Sequence, residues 1–170
     1  MKNLTFSDWV RRLKIAFVGA ALSLSVVSGV SDQVWAQSKR SPLKQQIQSL
    51  QQSNRRWIQV NLSKQRLIAW EGKTPIYAIA ISSGKNATPT RTGIFQIQSK
   101  HRKTRMRGRD YDVPNVPYAM FYDGNYGIHG AYWHRKFGTP VSRGCVNLAP
   151  NHAKWLFNWA SPGTTVFIHR

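Results

Sequence analysis

Acidic side chains and cysteine are what this 170-residue chain has least of: six Asp and Glu stand against 25 Lys and Arg, and Cys145 is the single cysteine. The shortage of acid, a net charge of +19, argues against chemistry built on paired carboxylates, so two-carboxylate glycosidases and carboxylate-cage metal enzymes fall away. One cysteine excludes an internal disulfide framework and a multi-cysteine zinc site. Long apolar runs are scarce as well. The run from Ile15 to about Val30 falls short of the roughly 20 residues a spanning helix needs and contains Ser23, Ser25, Ser28 and Gly29. What is present, 41% apolar and 18% charged residues, suits one globular domain of ordinary size and leaves no room for two large ones. The cationic surface favours anionic partners: nucleic acid, lipid headgroups or cell-wall polymers.

Residues 1–36 read as a signal peptide. Lys2, Arg11, Arg12 and Lys14 form a basic front to the apolar run, and Val34-Trp35-Ala36 supplies small residues where an A-x-A-like cleavage rule inspects them. The alternative is an anchor that is retained. Cleavage after Ala36 would remove four basic and two acidic groups and lower the net charge to +17. Export to a periplasm or cell wall makes nucleic acid a poor partner despite that charge, and wall polymers and anionic lipids better ones. Residues 37–56, rich in Gln, Ser and Lys, lack the apolar surface for a core and read as a tether with at most one weak helical stretch.

Residues 57–170 read as the folded domain. Trp57 to Leu62 alternates, and Arg66 to Trp70, Ile76 to Ser82 and Ile94 to Ile97 follow as short strands with turn signals between the first three. This spacing predicts a mainly β, antiparallel sandwich or sheet domain. One helix is expected over Pro150 to Trp159, where Ala153, Leu156, Phe157 and Ala160 share a face and Ser161-Pro162-Gly163 ends it; Thr164 to His169 then closes as a strand. Lys100 to Arg109 carries six basic residues in ten. It reads as a loop, either merely solvated or an anion-facing lid or wall-binding edge. The aromatics after it, Tyr111 to Tyr126, suit core or loop packing, or the wall of a groove.

The chemistry concentrates in residues 129–148, HGAYWHRKFGTPVSRGCVNL. A lone cysteine is most often a small buried apolar residue. Cys145, however, follows Gly144, which permits a tight bend aiming backbone N–H groups outward, and Arg143, whose charge is expected to favour thiolate. Those are requirements of a nucleophile with an oxyanion site. Of five histidines, His101, His152 and His169 are expected at surface positions, while His129 ends a short apolar strand and precedes Gly130. If that strand and the segment at Cys145 are sheet neighbours, the 15 residues between them can bring both side chains to one mouth. A metal site of His129, His134 and Cys145 is the competing chemistry, weakened by the lack of a carboxylate in the stretch.

These residues resemble the L,D-transpeptidase catalytic domain family: His129-Gly130, then Ser142-Arg143-Gly144-Cys145-Val146-Asn147 at the family's spacing. Upstream, Ile58 to Ser63 and Ser83-Gly84 through Thr88-Pro89-Thr90-Arg91-Thr92-Gly93-Ile94-Phe95 are similar to that domain's opening hairpin and following loop, so the likeness runs over residues 57–169. The resemblance implies an exported enzyme that remodels peptidoglycan stem peptides. Cys145 would be the nucleophile, His129 the base, and the Gly130 carbonyl the group that holds the imidazole. The Gly144 and Cys145 N–H groups would form the oxyanion site, a role worth about 2.7 to 4 kcal/mol per donor. Trp133, Ser142, Arg143 and Asn147 would line the substrate groove, with Ser142 supporting the turn. No metal or organic cofactor is implied.

One position departs from the family: many members have a second histidine two residues before the cysteine, where this chain has Arg143, which cannot exchange protons near neutral pH. That strengthens the assignment of the base to His129. Three function classes remain: a transpeptidase cross-linking stem peptides, an L,D-carboxypeptidase passing the same acyl group to water, and an inactive cationic wall-binding protein that keeps the fold.

Overall fold

A computed structural model describes residues 42–170. The signal segment and the tether before Pro42 lie outside the described residues. The chain divides into two units between Gln45 and Gln46, and the second contains all the strands given below. Helix α1 (Pro42–Gln52) buries no side chain, in keeping with its polar sequence.

Among the described residues nine strands form two sheets. The first contains β1 (Arg56–Asn61), β2 (Arg66–Glu71), β3 (Thr74–Ala80), β4 (Gly93–Gln96) and β9 (Thr165–His169), in the order β3-β2-β1-β9-β4. The second contains β5 (Ser99–Gly108), β6 (Tyr111–Asp123), β7 (Tyr126–Gly130) and β8 (Val146–Leu148), in the order β5-β6-β7-β8. Helix α2 (Pro150–Trp159) follows β8. The architecture is mainly β with one helix after the cysteine, and most ladders are antiparallel. Two are parallel, β1 with β9 and β7 with β8. The second of these positions the candidate chemistry.

Alternation explains the core. Ile58, Val60, Leu67, Ile79 and Ile81 meet Met120, Ile128, Val146 and Leu148 of the other sheet in one buried cluster that also takes in Leu156 and Phe157 of α2. Each such side chain, fully buried, contributes roughly 1.5–3 kcal/mol. Trp57 is buried too, stacked on Trp70 at 5.2 Å with its indole N–H donated to Gly72 O at 2.9 Å. Helix α2 begins with Pro150 and buries Ala153, Leu156 and Phe157, a spacing that puts all three on one face. Its last turn has no basic residue. Cations from other elements take that place: Lys100 Nζ donates to Phe157 O and Ala160 O, and Arg56 Nη1 to Trp159 O at 2.9 Å, complementing the negative end of the helix dipole.

The basic stretch is not a loop. Ser99–Gly108 is a ten-residue strand paired with β6 and forming the edge of its sheet. Its residues are all half-buried or exposed, so neither face required apolar side chains and no period-2 signal could appear. A row of Lys and Arg also blunts an edge against pairing with another chain. Pro114 and Pro117 fall in the part of β6 that β7 does not reach, and the ladder with β5 shifts register at Thr104/Met106, where missing donors are tolerated.

Candidate active site

The end of β7 and the start of β8 run parallel, with His129 opposite Asn147. This brings His129 beside the segment that begins with Cys145, the neighbour relation the spacing required. Ser82 bonds the Asn147 backbone from the other side, N–H to O at 3.0 Å and O from N–H at 2.9 Å. The segment after β3 therefore runs along β8 and buttresses the turn at residues 142–145.

That turn is held by short bonds. Ser142 Oγ accepts the Gly144 N–H at 3.0 Å and donates to Cys145 O. Ser142 O accepts the Lys85 N–H at 3.1 Å and the Thr88 hydroxyl at 3.2 Å. Gly144 has φ +116°, and a Cβ there would lie 2.5 Å from Tyr126 Cε1. On Gly84 a Cβ would meet Thr88 O at 2.1 Å and Gly144 Cα at 2.9 Å. Both positions admit only hydrogen, which explains glycine before the cysteine and in the buttress.

His129 and Cys145 line one cleft of about 430 Å³, together with Trp133, Asn147 and, from the β5–β6 hairpin, Met106 and Tyr111. Ser142 and Arg143 also reach it. His129 is 3% exposed, and its Nδ1 lies 3.0 Å from Gly130 O. Donation to that carbonyl puts the ring's proton on Nδ1 and leaves Nε2 as the basic nitrogen. Burial pushes the imidazole down to about 4, opposed in part by the Gly130 bond. Burial also raises the Cys145 thiol above its usual range. Its Sγ points at Asn125 O, 3.7 Å away.

The expected help from Arg143 is absent. Its guanidinium bonds Asp110, at the tip of the β5–β6 hairpin, at 2.9 Å and lies over the Tyr111 ring at 5.1 Å. Its charge is already paired, and at the thiol burial prevails over the one opposing influence, a backbone bond from Gly127. Burial thus favours the neutral thiol and the neutral imidazole in the resting pair. The two oxyanion candidates also separate, because the Gly144 N–H is donated to Ser142 Oγ. The Ser142 hydroxyl is engaged at both ends within the turn, as a brace. Trp133 is 42% exposed, its ring 5.8 Å from His129.

The other histidines divide differently from the sequence expectation. His101 is exposed and packs on Phe121. His152 is half-buried, with Nδ1 2.9 Å from the Tyr77 hydroxyl, and His169 is 9% exposed beside Gln59. The parallel β1–β9 ladder, with Asn61 opposite His169, puts the end of the chain inside the first sheet. Among the described residues, no three His, Cys, Asp or Glu side chains come together as a metal site. The carbonyl of Asn125 and the ring of Tyr126 had no sequence signal beyond their place in an aromatic, glycine-rich stretch.

The L,D-transpeptidase catalytic domain matches residues 55–168, most of the chain. The chain belongs to that family. L,D-transpeptidase 2 of Mycobacterium tuberculosis is 29% identical over 106 residues, 55% of this chain and 26% of the relative. L,D-transpeptidase 1 of the same species is 32% identical over 100 residues, 51% and 39% of the two chains. The chain thus spans well under half the length of these relatives. Among solved structures, the Enterococcus faecium L,D-transpeptidase superposes with a TM-score of 0.64 at 29% identity, over 67% of this chain and 49% of that one. An L,D-transpeptidase from Mycobacterium smegmatis shares the fold at the same TM-score and 21% identity, over 68% and 58%. The L,D-transpeptidase family acts on peptidoglycan peptides.

Proposed function

We propose that this chain is an exported peptidoglycan L,D-transpeptidase that cross-links stem peptides through a cysteinyl acyl-enzyme. The observation that carries the reading is one cleft lined by both Cys145 and a nearly solvent-free His129 whose Nδ1 meets a carbonyl. In the first half-reaction Cys145 Sγ attacks the carbonyl of the third stem residue. An S–C bond forms and the C–N bond to the terminal D-residue breaks. His129 Nε2 takes the thiol proton and returns it to the leaving amine. In the second, the amine of an acceptor stem loses a proton to His129 and attacks the thioester carbonyl, and the thiol leaves with that proton. Because both groups rest neutral, the proton moves as the sulfur attacks, and the thiol first turns from Asn125 O toward His129. The oxyanion falls to the Cys145 N–H, since the Gly144 N–H is held within the turn.

The test is mass spectrometry of tetrapeptide stem fragments incubated with the chain beginning at Gln37. Cross-linked dimers minus one terminal residue per bond are expected, with none from Cys145→Ala or Cys145→Ser. Trimmed tripeptide alone would replace transpeptidation by carboxypeptidase activity. An active Ser variant would remove Cys145 from the mechanism.

An anionic wall surface as second partner has a narrower basis than six basic residues. Lys100 binds the end of α2, and Arg105 and Arg107 share Asp112. Arg102, Lys103 and Arg109 are exposed and form no ion pair with another described residue. Changing these three to Gln is expected to weaken sacculus binding and flatten its salt dependence, with little change in small-peptide turnover. Unchanged binding would leave the strand as a solvated, self-protecting edge.

A further inference from the structure

Gly144, the residue before the thiol, is packed by two neighbours, and a side chain outside the cleft holds one of them. A Cβ on Gly84 would lie 2.9 Å from Gly144 Cα, and a Cβ on Gly144 would lie 2.5 Å from Tyr126 Cε1. The Tyr126 ring is itself covered: the Arg91 guanidinium stands over it, Cζ 4.6 Å from the centroid. The same guanidinium donates from Nη1 to Asp123 Oδ2 at 2.8 Å. Asp123 and Tyr126 are the pair that closes the β6–β7 ladder at its turn, so one cation spans both ends of that turn. The place of Arg91 is fixed from its own side as well. Thr90 beside it is 4% exposed and accepts the Gly84 N–H on Oγ1 at 2.8 Å. Residues 84–91 therefore touch Gly144 directly through Gly84, and indirectly through Arg91 and Tyr126.

We propose that Arg91 is a positioning residue, which holds the Tyr126 ring against Gly144 and thereby sets the direction of the Cys145 N–H toward the oxyanion. The inference rests on the acyl-enzyme reading above. Ser142 Oγ fixes the Gly144 N–H and the Cys145 carbonyl. Those groups belong to the peptides before and after the one that joins Gly144 to Cys145, and it is the joining peptide that carries the Cys145 N–H. A glycine at φ +116° has no Cβ to restrict its rotation, so packing against Gly144 supplies the control that the two Ser142 bonds do not. The demand is strict, since a reacting constellation works only when held within about 0.5 Å of its productive geometry. Arg91 and Asp123 keep 59% and 30% of their side-chain surface exposed, and such a pair adds little stability by itself. Its effect is geometric: Asp123 aims the guanidinium at the ring it covers.

The test has a part that needs no stem peptide. p-Nitrophenyl acetate acylates a thiol through a carbonyl oxyanion: the sulfur bonds the acetyl carbon and p-nitrophenolate leaves. Methyl methanethiosulfonate instead transfers a methylthio group to the same sulfur, and methanesulfinate leaves without any carbonyl taking part. In the chain from Gln37 onward, with the Cys145→Ala background subtracted, Arg91→Gln is expected to slow acetate acylation about fivefold, the scale of one cation–π contact with one exposed ion pair. The thiosulfonate rate, which reads the thiol and its contact with Asn125 O, should change less than about twofold. Equal falls, or unchanged acylation, would overturn the proposal. Arg91→Lys, which keeps a charge for both partners, should recover most of the loss, and Arg91→Gln should add nothing to Tyr126→Leu. Additive losses would place Arg91 on another route and overturn the role through Tyr126. With a tetrapeptide donor the loss should fall on kcat and leave KM nearly unchanged, because neither Arg91 nor Tyr126 lines the cleft; a change in KM alone would overturn it. If the unaltered chain turns over no stem peptide, the peptide reading fails, while the acetate and thiosulfonate rates still judge Arg91.

Discussion

The turn that carries Cys145 and the end of the β5–β6 hairpin line the same cleft, yet different forces hold them. The turn is built from buried and half-buried hydrogen bonds: Ser142 Oγ to Gly144 N–H and to Cys145 O, with Lys85 and Thr88 on Ser142 O. The hairpin end is held by exposed ion pairs, Arg143 with Asp110 and Arg105 and Arg107 with Asp112. Buried bonds in a low-dielectric surround resist small displacements, whereas exposed pairs are screened and exchange readily with water. On the proposed mechanism a thiol that must meet a carbonyl needs the first kind of support, and the hairpin end, as an adjustable cover of the cleft, the second.

Acid should act on the two halves in opposite order. His129 sits at about 4 against an ordinary 6.5 because its burial opposes the charged ring. Between those values the unfolded chain binds a proton that the folded chain refuses, so stability falls as pH drops from 6.5 and levels off below about 4. The full loss is on the order of 3 kcal/mol. The hairpin carboxyls behave differently: Asp110 and Asp112 are held below their usual range by bonds from Arg143 and Arg105. Their contribution persists until the pH falls through those lowered values. Chemical denaturation of the chain from Gln37 onward across pH 4–7 should show the loss, and His129→Gln should remove most of it. An equal slope in that variant would assign the effect to other groups.

Backbone geometry offers the next way to break the contrast. Gly144→Ala puts a Cβ 2.5 Å from Tyr126 Cε1 on a residue with φ +116°, a strained conformation costing about 1–3 kcal/mol. Relief requires the turn to move, and Cys145 with it. The expected outcome is a loss of at least tenfold in kcat/KM for a stem peptide together with a lowered Tm. Gly138→Ala, also at positive φ but with open space at its Cβ, should show less of both. Equal losses in the two variants would mean that backbone strain, and not the contact with Tyr126, dominates.

How much of this was legible in the sequence follows the same division. The turn was legible because its chemistry is local: Gly144 before Cys145, and His129 at a strand end with 15 residues between. Alternation in β1 and the apolar face of α2 also announced themselves, since each buries one face against a single core. The hairpin was not legible. β5 exposes both faces and lies at an edge, so pairing with β6, and not burial, makes it a strand. Nor could a one-dimensional reading find that Asp110 neutralises Arg143 across 33 residues, which is why help from that guanidinium to the thiol was expected. His169 was missed for a related reason: only the parallel β1–β9 ladder puts the chain's end inside a sheet.

The smallest effect belongs to the hairpin's own contact. Arg143 and Asp110 keep 44% and 60% of their side-chain surface exposed, so their pairing is screened by salt and competes with water. Asp110→Asn removes the charge and keeps the shape. If the pair only steadies the cleft's cover, kcat/KM for a small donor peptide should change less than about threefold at low salt. The modest salt dependence of the unaltered chain should also flatten in the variant, because added ions then have no pair to screen. Arg143, released from Asp110, still has the Tyr111 ring beneath it, which limits how far the guanidinium can swing. A fall of more than tenfold would instead make the hairpin end part of the reacting geometry. In that case the contrast between a fixed turn and an adjustable cover would fail at the residue that joins them.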